Sequence, residues 1–138
     1  MKVKCVADKV SIEKNNKALV DWANNSELEI TIGKTYIVIA ISKYLNFIFY
    51  YILGDESDLY PLAFPAELFL ITESKISKYW ETDLTKIEFI EDINIKNGDV
   101  VSFKEWKFKG DIFYENLMEE VPEFTLIFNN YRDKILSE

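Results

Sequence analysis

Histidine is absent from this 138-residue chain, and with it goes the commonest acid–base group at neutral pH and the commonest zinc ligand. That excludes imidazole-based catalytic triads and most transition-metal sites. A single cysteine, Cys5, excludes an internal disulfide, and its place in the alternating run KVKCVA predicts a small buried strand residue rather than a reactive thiol. With only four glycines and three prolines, no linker of the usual composition divides the chain. Neither an internal repeat nor a low-complexity tract appears. The opening MKVKCVADKV lacks the uninterrupted apolar core of a secretion signal, since charge returns at Asp8, so a cytoplasmic protein is expected. Basic residues are scarce, 16 against 24 acidic ones, and a net charge of −8 opposes general affinity for nucleic acid. A protein partner with a basic surface is the better expectation.

What is abundant is apolar surface: 49% of residues are hydrophobic and 15% aromatic, ample for one packed core. The longest apolar run, residues 36–53, reads YIVIAISKYLNFIFYYIL and nearly has the length of a membrane span. Its middle, SKYLN, is polar, and both flanks are rich in β-branched and aromatic residues. Two strands joined by a turn fit it better than one helix. The weight of Ile, Lys and Asn points to an AT-rich genome, bacterial or phage.

With that pair at residues 35–42 and 46–54, strands are also expected at residues 2–7, 59–64 and 69–72. A long excursion, residues 8–33, separates the first two along the chain, with Asn-Asn pairs marking turns around KALVDW. It ends in LEITIGKTYIVI, where Leu28, Ile30 and Ile32 alternate with polar residues before Gly33 permits a bend. The order of a first strand, a long loop, TIGKTYIVI, a hairpin and then YPLAFPAELFLI resembles a Src-homology-3-like barrel over residues 1–73. In that family a 3₁₀ turn follows a proline and precedes the closing strand, as FPAELF would here. The peptide-binding members carry a tryptophan pair opening the third strand and a tyrosine three residues after the proline. NFIFYY has no such pair and Leu68 follows Pro65 at that spacing, so the resemblance implies the fold and not polyproline recognition.

Residues 77–103 alternate in the manner of two or three more strands, with Tyr79, Ile87, Phe89, Ile93 and Ile95 on one face and a tight turn at KNGD. Near Gly110 the hydrophobic period changes from two to about 3.6. Asp111 is placed to cap a helix reaching Met118, and Pro122 to open a second one, whose Phe124, Ile127, Phe128, Tyr131 and Ile135 form an apolar stripe. The expected class is therefore α+β: a small barrel at residues 1–73, then a β-hairpin region and two helices at 74–138 packed on it.

No catalytic residue, metal site or cofactor is assigned. Asp55, Glu56 and Asp58 lack the later glycine and glutamate of a calcium loop and read as a polar hairpin tip. The candidates for partner binding are the acidic row Asp111, Glu115, Glu119, Glu120 and Glu123, and an aromatic patch of Tyr50, Tyr60 and Trp80. Tyr50 and Tyr51 are adjacent, so in a strand one of them should face outward. The row is also what a solvated helix face looks like. The function expected is a non-catalytic protein-binding module, similar in general character to the immunity protein of a bacterial toxin system. A DNA mimic that inhibits a nuclease and a small-ligand-binding barrel are the alternatives.

Overall fold

The computed structural model describes residues 1–11, 17–25, 28–55 and 59–138. Six strands, β1 (Lys2–Cys5), β2 (Thr35–Tyr44), β3 (Phe47–Ile52), β4 (Leu62–Pro65), β5 (Phe69–Glu73) and β6 (Val100–Val101), form one antiparallel sheet. Among the described residues four helices accompany them: α1 (Lys17–Asn25), α2 (Lys104–Lys109), α3 (Asp111–Met118) and α4 (Pro122–Leu136). The class is α+β, as expected.

Strand order is β4-β3-β2-β1-β5, and β6 pairs with β2. Pairing does not close the sheet; β4 and β5 form its edges. Between them a 3₁₀ turn, Ala66–Leu68, follows Pro65 and carries the chain from one edge to the other. Strand β2 is the organising element. Its first residues pair with β1 (Val3 opposite Tyr36), its later ones with β6 (Ile41 opposite Val101), and β3 lies along its other side.

Both faces of β2 are covered, so Val38, Ile39, Ala40 and Ile41 are buried in succession. A strand buried on two faces reads as an unbroken apolar run rather than an alternating one, which is why YIVIAI carries no polar residue. On one face Tyr36 and Tyr50 meet the edge of the Phe69 ring, at 6.4 and 5.8 Å between centroids. On the other, the C-terminal helices supply an aromatic layer. Tyr51 packs edge-on against Trp106 and Tyr114 at 4.9 and 5.1 Å, and Phe103 stacks on Tyr131 at 4.2 Å. Ser102, which is fully buried, donates its hydroxyl to the Ile39 carbonyl and ties this layer to β2.

Three expectations are corrected. Residues 77–103 supply one two-residue strand, β6, where two or three are expected; the chain before it makes one isolated bridge, Lys75 with Lys86, and a 3₁₀ turn at Ile90–Asp92. Period-two hydrophobicity marks an extended chain with one covered side. Here Ile76 and Ile87 are buried while Phe89 is exposed, and backbone bonds such as Ile87 N–H to Ser74 C=O tie the segment at separate points. The KNGD turn does form, closed by Asp99 N–H to Lys96 C=O, with Gly98 at φ 90°; it leads β6 to β2, not into a hairpin with residues 93–96. Asp111 does not cap α3. Gly110 occupies the cap position at φ 56°, ψ −131°, a region that L side chains avoid, and Asp111 begins the helix.

Candidate functional site

The acidic row is outward-facing throughout. Asp111, Glu115 and Glu119 follow one another at four-residue spacing along α3 and its C-terminal cap, and all three are exposed. The row does not continue as one helix. After α3 the chain reverses through Glu120 at φ 55°, with Glu120 N–H donating to Leu117 C=O and Val121 N–H to Asn116 C=O, the two bonds of a Schellman cap. Glu123 then lies in the first turn of α4, where its charge suits the helix dipole. None of the five makes an ion pair among the described residues.

The expected aromatic patch is corrected. Tyr50 is 1% exposed and Trp80 5%, and Tyr60 is half-buried against the core. Burial, and after it the charge of Glu91, pushes the Tyr50 phenol well above its ordinary pKa. Tyr51 does not look outward either, because α2 and α3 cover the second face of β3. Cys5 is buried, and burial raises its thiol pKa. Of the acidic trio at residues 55–58, Glu56 and Asp58 lie outside the described residues. Asp55 accepts bonds from Thr31 Oγ1 (2.6 Å), Lys34 Nζ (2.7 Å) and Tyr36 Oη (2.8 Å), and the Lys34 bond above all holds its carboxyl down at about 2.

A different group of apolar side chains is brought together at the surface. Strands β2 and β3 join through Leu45 and Asn46, both at positive φ (51° and 66°), with Tyr44 opposite Phe47. That is a two-residue hairpin turn of the mirror-image type, in which asparagine and glycine are the favoured residues. Leucine there is strained. Asn97 holds the turn from the neighbouring KNGD loop: its Oδ1 accepts the Asn46 N–H at 2.8 Å, and its Nδ2 donates to Asn46 Oδ1 at 2.9 Å. Opposite stands α1, anchored by Asn24, whose side chain bonds the backbone N–H and C=O of Val10.

Between the hairpin tip and α1 lies an open apolar cavity of about 320 Å³, lined by Leu19, Trp22, Tyr44, Leu45, Phe47, Phe49 and Ala63. Its outer rim is wet: Trp22 is 45% exposed, Tyr44 63% and Leu45 54%. No family model, curated protein or solved structure matches this chain. The groove was missed in the sequence because its lining is gathered from the excursion at residues 8–33, a turn and two strands that are distant along the chain. Two signals were available, Leu19 and Trp22 at helical i, i+3 spacing, and a leucine in a turn where polar residues belong.

Proposed function

We propose that the protein is a non-catalytic protein-binding module that grips its partner through the groove between α1 and the β2–β3 turn. The observation that carries this reading is Leu45. A bulky residue is held at positive φ, at a cost, with about half its surface in water beside Trp22 and Tyr44. Backbone strain kept at an exposed apolar site is what a binding surface requires and a merely stable turn does not. The described residues of the groove lining bring no carboxylate, amine or thiol. The strand order, with its 3₁₀ turn between β4 and β5, supports reading residues 1–73 as a Src-homology-3-like barrel. The net charge of −8 suits a basic partner, such as the toxin that an immunity protein holds.

The test is recovery of a partner from the native host. A tagged wild-type chain should retain a stoichiometric protein, which Trp22→Ala and Leu45→Asn should lose while their thermal unfolding remains cooperative. Equal recovery by wild type and both variants would overturn the reading. The apolar lining of the groove also favours a second reading, a small apolar ligand. In that case a metabolite rather than a protein would raise the melting temperature.

A further inference from the structure

The apolar groove has a continuation of different character. Leu19 and Phe47 also line a second open cavity of about 320 Å³, which passes Ile48, Pro65 and Ala66 and includes Glu67 and Glu91. Among the described lining residues the hydrocarbon of the first stretch gives way to two carboxylates in the second, and none of them is a lysine or arginine. The two carboxylates are presented by short turns of the fold. Glu67 belongs to the 3₁₀ turn Ala66–Leu68, and its Oε1 accepts the Ser11 N–H at 3.2 Å. Glu91 belongs to the 3₁₀ turn Ile90–Asp92, and its charge reaches the phenol of Tyr50 inside the sheet.

A cleft with apolar walls concentrates the field of the charges at its rim, so a cation arriving there is held more firmly than on open surface. We propose that the partner presents a large apolar side chain to the Trp22–Tyr44–Leu45 stretch and, beside it on the same chain, a lysine or arginine to Glu91. This rests on the reading of the groove as the partner site and adds the chemistry of what enters it. A polypeptide is the occupant because it sets one hydrocarbon and one cationic side chain at a fixed separation. Charge complementarity with a chain of net charge −8 points the same way.

The experiment selects binders from a displayed library of random peptides against the full-length wild-type protein. Each enriched peptide is then titrated while acrylamide quenching of tryptophan fluorescence is followed. Trp80 and Trp106 are buried and Trp22 is exposed, so quenching reports on the groove. The expected peptides pair a large apolar residue with a lysine or arginine at constant spacing and protect Trp22. Their binding should weaken about three- to tenfold in Glu91→Lys, the range of a partly desolvated ion pair. A peptide with its basic residue changed to glutamate should regain affinity for that variant.

Peptides that protect Trp22 yet lack a basic residue, and bind Glu91→Lys as tightly as wild type, would overturn the cation assignment and leave the docking reading standing. Failure of any peptide to protect Trp22 would overturn both. Protection of Trp22 by rising protein concentration alone, with dimers in sedimentation, would make a second copy of the chain the occupant and overturn the proposal.

Discussion

Under the proposed function, Leu45 sets stability against binding in one side chain. Placing an L residue other than asparagine, aspartate or glycine in the left-handed region costs roughly 1–2 kcal/mol, so Leu45→Asn should stabilise the fold by about 1 kcal/mol. For a chain of this length that is a rise of roughly 3–5 °C in melting temperature, alongside loss of partner binding. A fall in melting temperature would mean that Leu45 contributes more by packing than it costs in strain. Asp55 makes the opposite kind of prediction. Its carboxyl, held at about 2 against an ordinary 3.8, contributes stability that is complete above pH 4 and is lost as the pH falls toward 2. Wild type should therefore exceed Asp55→Asn in melting temperature at pH 5 and converge on it near pH 2. The side chain is partly in water, so the gap will be small. At this level the sequence was legible where chemistry is local, as for Cys5, and illegible where the neighbour is distant, as for Tyr50 and Trp80.

Helix α3 ends in a Schellman cap whose left-handed position is filled by Glu120 instead of glycine. Glu120→Gly should stabilise the protein by about 0.5–1 kcal/mol, and Gly110→Ala, which forces a Cβ into φ 56°, should destabilise it by about 1–3 kcal/mol. Denaturant midpoints of the two variants should move in opposite directions. Removing a ring from the aromatic layer has a larger effect: Phe113→Ala should cost about 3–5 kcal/mol, because Phe103, Trp106 and Phe124 all pack on it. Helices α3 and α4 were readable because their 3.6-residue period runs long enough to be distinctive. Helix α1 was hidden between asparagine pairs, and the short α2 begins only three residues after β6 ends. The alternation of residues 77–99 told of burial only in part, since Ile87 is buried and Phe89 exposed, and it misled about pairing, because side-chain spacing carries no information on where backbone groups find partners.

For the chain as a whole, the acidic surface should act on the rate of encounter more than on the strength of the complex. Reversing Glu115 and Glu119 to lysine is expected to lower the association rate and flatten its dependence on salt, with a smaller change in dissociation. Stopped-flow association at low and high ionic strength checks this; an unchanged rate at low salt would remove α3 from the encounter surface. Strand β2 serves two partners far apart in sequence, β1 near the start and β6 near residue 100. On the face carrying Tyr51, the covering rings of Trp106 and Tyr114 come from residues that follow Phe103. On the ribosome, then, residues 1–73 emerge with a hydrophobic wall and an unpaired stretch of strand, and must wait for about thirty more residues before the strand is paired and about forty before the wall is covered. The period of greatest exposure to aggregation and to chaperones falls during translation, and it would lengthen with any pause between codons 74 and 114.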